Sequence, residues 1–252
     1  MAGATELFRY VLRLADDQLI LGQRLGEWCG HAPTLEEDLA LANIGLDLIG
    51  QSRALYDYAG ALEGAGRDED QLAFLRQERE YQNCLLVEQP NRDFAHTILR
   101  QLLYAAFMQP FWREIQASKD ETLAGVAGMA VKEVTYHLRH AAQWTLRLGD
   151  GTSESHERMV EAIDSLWMYS GELFEVDDVT ETLIAQGIAV DPRSLREEWE
   201  KTLSETLSAA TLELPAKVWM QTGGRDGRHT EHMGHLLAEL QYMQRAYPNM
   251  QW

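Results

Sequence analysis

His137 and the residue one helical turn before it come closest to a metal-binding motif in this sequence. Between Leu123 and Leu148, apolar residues recur at the spacing of one helical face, and His137 falls on that face. Helical bundles that hold two iron ions take a carboxylate and a histidine, three positions apart, from each of two helices. Here the residue three positions before His137 is Val134, whose isopropyl group cannot bind iron. The stretch therefore has the pattern of a metal-binding helix that lacks a ligand.

The other positions that such an iron centre needs are also incomplete. The second predicted helix offers Asp47, but Gly50 stands where a histidine would follow it. The third has Ala106 in a middle section without acidic residues, and only the first helix, with Asp16 and Asp17, keeps its carboxylates. This chemistry needs about six ligands at fixed places. We therefore predict no catalytic residue, no bound cofactor and no metal site in this chain.

Asp47 and His137 are then expected to be buried polar residues. Each needs a partner, because an unpaired polar or charged group in an apolar core is costly. Lys132, Arg24 and Arg53 are candidate partners in the sequence. We predict a hydrogen-bonded or charge-paired polar core in place of a metal centre.

A second group of candidate ligands lies near the C-terminus, and it consists of His229, Glu231, His232 and His235. On a helix His232 and His235 share a face, and Glu231 lies one turn before His235, so these side chains could bind zinc or iron. The other interpretation is a helix start, in which Thr230 caps the helix, Glu231 interacts with the helix dipole, and the histidines lie at the surface or at a contact between subunits. We favour the structural interpretation and keep the metal site as its alternative.

Hydrophobic spacing and capping signals predict the helices that position these residues. No stretch alternates polar and apolar residues as a strand would, so the predicted class is all-α. A Thr34–Glu37 capping box opens the second helix, and Pro110 lies inside the third bundle helix. The predicted helices span residues 7–28, 34–61, 71–86, 93–117, 123–148, 155–174, 177–186, 191–210 and 229–246.

The order of these helices predicts a ferritin-like four-helix bundle with additional C-terminal helices. Two helical hairpins joined by one long crossover have the connectivity of ferritin-like proteins. We predict one domain over residues 1–252, with a bundle core at about 5–149 and a helical extension at about 150–252, because no flexible linker divides the chain.

Composition limits the environment and the partners of the chain. Forty acidic and 22 basic residues give a net charge of −18, which opposes binding to nucleic acid or to an anionic membrane. The sequence contains neither an apparent signal peptide nor a long uncharged apolar run, and Cys29 and Cys84 lack metal-ligand spacing. We therefore expect a cytoplasmic protein that does not contact membranes.

Several motifs along the chain closely resemble those of one protein family, the structural, C-type subunits of the bacterial phenylacetyl-CoA 1,2-epoxidases. They are LADDQLILGQRLGEWCGHAPTLEEDLALANIGLDLIGQSR, LLVEQPN, KEVTYHLRH, GIAVDPR, TGGRDGRHTEH and ELQYMQR, and they begin at residues 14, 85, 132, 187, 222 and 239.

This resemblance implies a ferritin-like subunit of a multicomponent monooxygenase in aerobic phenylacetate catabolism. In the family, the di-iron site belongs to a related catalytic subunit, NADPH supplies electrons through a reductase, and the C-type subunit is not itself redox-active. The implied partners are that catalytic subunit, a small accessory subunit and the reductase. The expected role is a non-catalytic structural subunit of a hetero-oligomer. The alternative is a divergent metal-dependent oxidase that is active in its own right.

Overall fold

The computed structural model describes residues 2–215, 219–248 and 250, with side chains from residue 5 onward. The described residues form helices and loops without a strand, so the all-α prediction is confirmed. Their α-helices are α1 (Ala2–Gly26), α2 (Leu35–Glu63), α3 (Glu69–Phe74), α4 (Leu85–Glu88), α5 (Phe94–Ile115), α6 (Glu121–Gly149), α7 (Ser153–Leu166), α8 (Asp178–Gln186), α9 (Arg196–Ala209), α10 (Glu231–Leu240) and α11 (Tyr242–Ala246).

The chain forms two compact units. The first consists of residues 1–90 and 223–252, and the second of residues 91–222. The region predicted as a C-terminal extension is thus shared between the units. Residues 1, 216–218, 249 and 251–252, which the one-domain prediction also covers, lie outside the described residues, and that prediction stays a prediction.

Helices α1 and α2 form an antiparallel hairpin in the first unit. The Ser52 hydroxyl donates to the Ala15 carbonyl, and nearer the connecting loop Gly22 lies against Gly45 and Ile49. A Cβ atom at Gly22 would meet Cγ1 of Ile49 at 3.0 Å and the Gly45 carbonyl oxygen at 3.2 Å. The absence of a side chain therefore lets the two helices approach closely.

The ends of α2 differ from the predicted ends in one respect. Thr34 occupies the N-cap position, but its side chain makes no capping hydrogen bond, so the predicted capping box is wrong. Gly64 ends the helix with a φ of +66°, and its amide donates to the Gly60 carbonyl. This left-handed conformation favours glycine.

Helices α5 and α6 form the long hairpin of the second unit. Asp93 and Asp120 cap them by accepting hydrogen bonds from the amides of His96 and Leu123, each at 2.9 Å. The rings of Phe94, at the start of α5, and Trp144, near the end of α6, pack edge to face at 5.0 Å, so the helices are antiparallel. Pro110 lies inside α5 as predicted.

Two stretches that were each predicted as one helix are not continuous α-helices in the structure. The stretch 71–86 contains the end of α3, a 3₁₀ turn at Glu78–Glu80 and the start of α4, and the predicted single helix is wrong. The stretch 155–174 leaves α-helical geometry after Leu166 and continues as two 3₁₀ turns. At the second turn Gly171 lies against Met220, where a Cβ atom would come within 2.7 Å of Met220 Cγ.

The last two predicted helices are interrupted. The predicted helix 191–210 begins with a 3₁₀ turn at Pro192–Leu195 before α9. The predicted helix 229–246 is divided into α10 and α11 at Gln241, whose buried side chain donates to Tyr81 Oη at 2.8 Å and to the Arg76 carbonyl at 3.0 Å.

The order of the long helices is ferritin-like. Hairpin α1–α2 and hairpin α5–α6 are joined by the long connection 64–93, which includes the short helices α3 and α4. Among the described residues, no helix combines the length and the apolar character that crossing a bilayer requires.

Candidate functional site

Two adjacent carboxylates of α1, Asp16 and Asp17, lie in the interior of the first unit. Their exposed fractions are 0% and 2%. Successive helical residues point about 100° apart, so the two side chains bind different donors. The non-helical segment 81–84 places the Gln82 amide on Asp16 and the Cys84 amide on Asp17.

Asp16 accepts hydrogen bonds on both of its carboxylate oxygens. Oδ1 accepts from Tyr56 Oη at 2.6 Å and from Arg76 Nη2, while Oδ2 accepts from Arg76 Nη1 at 3.1 Å and from the Gln82 amide at 2.8 Å. The Arg76 guanidinium also lies over the Tyr81 ring, 4.1 Å from its centroid. This is a buried bidentate ion pair with additional neutral donors.

The ionisation of the groups around Asp16 follows from burial and charge. Burial, and after it the charge of Asp16, raise the pKa of Tyr56 well above its usual value, so its hydroxyl keeps the proton that it donates. Burial also raises the pKa of Tyr81, to about 12. Burial lowers the pKa of Arg76, but the charge and hydrogen bonds of Asp16, together with contributions from Tyr56 and Tyr81, outweigh burial and raise the pKa overall.

Asp17 is paired with an arginine from the C-terminal part of the chain. Arg225 Nη1 donates to Oδ1 at 3.0 Å and Nη2 to Oδ2 at 2.8 Å, and the Cys84 amide donates to Oδ1 at 2.7 Å. Burial raises the pKa of Asp17, and the charge and hydrogen bonds of Arg225 counteract part of that rise. The pair ties residue 225 to α1.

Glu88 of α4 is the third buried carboxylate of this unit. Its Oε1 accepts from the amide of Thr230 at 2.6 Å and from its hydroxyl at 2.8 Å, and its Oε2 accepts from Asn83 Nδ2 at 2.9 Å. Oε2 also lies 2.7 Å from His229 Nδ1. Arg24 of α1 donates to the Glu88 carbonyl from Nε at 3.1 Å and from Nη2 at 2.8 Å.

We call Asp16, Asp17 and Glu88, together with their donors, the carboxylate network. Its donors are two arginines, a tyrosine, a histidine, the Asn83 side-chain amide, the Thr230 hydroxyl and main-chain amides, which leave the carboxylates hydrogen-bonded rather than directed at a shared point. Among the residues that the structure describes, no group of three or more His, Cys, Asp or Glu side chains is arranged to hold a metal ion. The network is therefore suited to joining α1, the crossover connection and the C-terminal segment.

The residues present do not fit a di-iron centre. Gly50 is exposed and offers no ligand, and Val134 and Ala106 are buried and apolar. Asp16, the carboxylate that the sequence left intact, already binds Arg76.

The structure corrects the predicted placement of Asp47. Its side chain is half-buried, and its neighbours Leu46 and Ile49 are exposed, so the prediction of a buried Asp47 is wrong. Among the predicted partners, Lys132 is exposed, and the largely exposed Arg53 binds Glu69 at the surface. His137 is 2% exposed, and its predicted burial is confirmed.

The C-terminal group of candidate ligands does not converge. His229 has a fully buried side chain directed at Glu88, whereas Glu231 and His235 are exposed and His232 is half-buried. Thr230 was expected to cap α10, but its side chain makes no capping bond and binds Glu88 instead. The expectation that the histidines lie at the surface is wrong for His229.

Arg76, Arg225 and Glu88 are the structural residues that sequence reasoning missed. Glu88 directly follows the apolar residues Leu85–Val87, and this position could have indicated a buried carboxylate. The signal for a basic partner was the pair of acids within the apolar α1 sequence. Nothing local identified Arg76 or Arg225, because they lie 60 and 208 residues from the acids that they bind.

Comparison with known proteins agrees with the motif resemblance over the whole chain. The family model described as "Phenylacetic acid catabolic protein" matches residues 2–252. The chain is 51% identical over 247 residues to a protein of Escherichia coli (strain K12) that is named as the C subunit of 1,2-phenylacetyl-CoA epoxidase. That match covers 98% of this chain and 99% of the relative.

Proposed function

The chain belongs to the phenylacetic acid catabolic protein family, and from this premise we propose that it is a non-catalytic subunit of a phenylacetyl-CoA epoxidase complex. Its role is to bind and stabilise a related catalytic subunit that holds the di-iron site. The relative's name supports membership of the complex. The non-catalytic role rests on the chemistry of this chain's own residues.

The observation that carries the proposal is the pairing of Asp16 with Arg76. A carboxylate that binds iron must offer its lone pairs to the metal, but those of Asp16 are engaged by a guanidinium, a phenol and an amide. Releasing them would leave Arg76 buried without its partner, at a cost of about 3–5 kcal/mol. Gly50 and Val134 remove two further donors from the corresponding helices.

The proposed complex divides the chemistry between subunits. Epoxidation places one atom of O₂ on the aromatic ring and reduces the other to water with two electrons and two protons. We propose that NADPH supplies the electrons through a reductase, and that the di-iron site of the catalytic subunit activates the oxygen. This chain contributes no ligand to that site and acts by holding the catalytic subunit in its active geometry.

A stabilising subunit needs a contact surface, and α2 presents one. The exposed residues of α2 between positions 39 and 50 are Leu39, Asn43, Leu46, Ile49 and Gly50. None of them carries a charge, in a chain whose net charge is −18. Depletion of charge is typical of the buried centre of a protein interface. We call this surface the α2 face and propose that the catalytic subunit packs on it.

A rigid partner is useful to a di-iron enzyme for a physical reason. Catalytic ligands must be held to within about half an ångström, which requires support from neighbouring elements. A metal-free relative with long helices can supply that support through a large interface, and permanent complexes generally bury more than about 2,000 Å². The exposed Leu46 and Ile49 are suited to the centre of such an interface.

The test is to express this chain and the catalytic subunit separately and together, and then to compare solubility and size. We expect a stable complex of the two, and poor solubility of the catalytic subunit without this chain. A catalytic subunit that is fully soluble alone and does not bind this chain would contradict the proposal. Epoxidation by this chain alone would favour the alternative, a metal-dependent oxidase.

A further inference from the structure

The His229 ring lies between two hydrogen-bond acceptors. Nδ1 is 2.7 Å from Glu88 Oε2, and Nε2 is 3.0 Å from the Tyr81 carbonyl oxygen. A neutral imidazole has only one N–H group, and a carbonyl cannot donate. Both contacts are hydrogen bonds only if the His229–Glu88 pair holds one proton more than a neutral histidine beside an ionised glutamate.

The other contacts of Glu88 place that proton on His229. Three further groups donate to the carboxylate, namely the Thr230 amide, the Thr230 hydroxyl and Asn83 Nδ2. Donors of this kind stabilise the ionised form of a carboxyl group. The side chains of His229 and Glu88 are both fully buried, so they form an ion pair out of contact with water.

We propose that the His229–Glu88 pair is a proton-dependent latch, which holds the start of α10 against residues 81–88 when protonated and loosens it when the proton is lost. Without the proton, one ring nitrogen would present a lone pair either to the carboxylate or to the Tyr81 carbonyl. Either arrangement replaces a buried hydrogen bond by repulsion between acceptors.

The charged and titratable groups around His229 set the direction of the effect. Burial lowers the pKa of His229, but the hydrogen bond and charge of Glu88 on α4, together with the Tyr81 carbonyl and Glu78 on the 3₁₀ turn, outweigh burial and raise the pKa overall. Tyr81, with a pKa of about 12, stays neutral. Arg24 of α1 binds the Glu88 carbonyl, and Arg225 is neutralised by Asp17.

The sign of the pH dependence follows from this raised pKa. A histidine with a higher pKa in the folded state contributes stability that is complete below its unfolded value of about 6.5. That contribution is lost as the pH rises through the folded value. The latch is therefore strongest below pH 6.5 and weakens as the pH rises above that value.

Other contacts keep the loosening local. Arg225 binds Asp17, Gln241 binds Tyr81, and Arg245 Nη2 donates to the Arg76 carbonyl at 2.9 Å. None of these contacts weakens as the pH rises from 6 to 8.5, because arginine stays charged, the Asp17 carboxyl can only lose a proton in that direction, and the Tyr81 pKa is high. Loss of the proton should open the start of α10 without unfolding the unit.

Hydrogen exchange of the full chain, measured from pH 6 to pH 8.5 and corrected for intrinsic amide exchange, tests the latch. We expect protection of residues 231–240 to fall with pH, by up to about tenfold for each unit by which the folded and unfolded pKa values differ. Peptides from α8 in the second unit serve as an internal reference. In His229→Gln the fall should disappear, whereas His235→Gln, which alters an exposed histidine on the same helix, should behave as the parent.

A direct titration covers the case in which His229→Gln fails to fold. Nitrogen-15 NMR of the parent chain should show both His229 ring nitrogens protonated at pH 6.5, with a titration midpoint above that of an exposed histidine. A singly protonated His229 ring at pH 6.5 would overturn the proposal. A pH-dependent loss of protection in His229→Gln equal to that of the parent would also overturn it.

Discussion

The guanidinium of Arg76 meets the carboxylate of Asp16 with both of its terminal nitrogens, and the two side chains are 2% and 0% exposed. The pair joins α1 to the connection between the two long hairpins. Arg76 thereby engages a carboxylate that the sequence analysis left as a possible iron ligand. Its strength and the consequences of breaking it are accessible to measurement.

Removing Arg76 should destabilise the chain strongly. Arg76→Met leaves the Asp16 carboxylate buried without its charge partner, which costs about 3–5 kcal/mol. The matched control is Arg53→Met, because Arg53 is largely exposed and pairs with Glu69 at the surface. That change should stay within about 1 kcal/mol. Urea denaturation of the three proteins measures both differences.

Neutralising both partners should recover part of the loss. In Asp16→Asn/Arg76→Met no buried charge remains unpaired, so the double variant should be more stable than the sum of the single changes predicts. Additive free energies of unfolding would show that the two residues do not interact in solution, contrary to the structure.

The helix caps give a further prediction about stability. Asp120→Ala removes the capping bond to the Leu123 amide and should cost about 1 kcal/mol. Thr34 is also an N-cap residue, but its side chain makes no capping bond. Thr34→Ala should therefore lower the stability clearly less. Equal losses in thermal or chemical denaturation would mean that the capping box at Thr34 forms in solution.

Asp93 provides a test in acid. Burial raises the pKa of Asp93, but the amide and ring of His96 lower it more, so the pKa lies below its usual value of 3.8. Its stabilising contribution is therefore present above pH 3.8 and is lost as the pH falls through the lowered value. NMR titration of the carboxyl group should give a midpoint below that of exposed aspartates, and a midpoint above 3.8 would contradict the structure.

The α2 face predicts which substitution separates the subunits. Leu46 is 65% exposed, so Leu46→Glu should leave the stability of the isolated chain nearly unchanged. If Leu46 lies at the centre of the interface, the substitution should weaken binding to the catalytic subunit about tenfold or more. A tenfold change in affinity corresponds to about 1.4 kcal/mol of binding free energy. Val160→Glu on α7, at another exposed apolar residue, is the control.

The binding measurements also distinguish other occupants of the α2 face. If Leu46→Glu binds the catalytic subunit as the parent does, the partner packs elsewhere. If the parent chain alone forms a dimer that Leu46→Glu dissociates, the face is an interface between copies of this chain instead.

Iron content tests the ligand argument separately from activity. The chain purified from iron-rich culture should contain no stoichiometric iron, because Gly50 and Val134 provide no ligand and Asp16 binds Arg76. Stoichiometric iron in the parent, lost in His137→Ala, would show that this chain holds a metal.

Local periodicity explains which parts of the fold were predictable. In α6 the apolar residues define one face, so the burial of Val134 and His137 follows from spacing. In α2 apolar residues occur on both sides, and spacing could not tell the side that packs on α1 from the exposed side. Asp47 was assigned to the wrong environment for this reason.

Long-range pairing explains what remained hidden at the candidate site. The buried acids Asp16 and Asp17 were visible in the sequence, but their arginines come from distant segments, and only the folded chain identifies them. The stretch 71–86 has helical spacing, yet residues 81–84 are not helical, because the Gln82 and Cys84 amides bind the two aspartates. A tertiary interaction there overrides local preference.

Turnover of phenylacetyl-CoA, with the reductase and NADPH supplied, tests the central claim most directly. The catalytic subunit should be active in complex with this chain and nearly inactive without it, and this chain alone should give no epoxide. Full turnover by the catalytic subunit alone, or epoxide formation by this chain alone, would contradict the account.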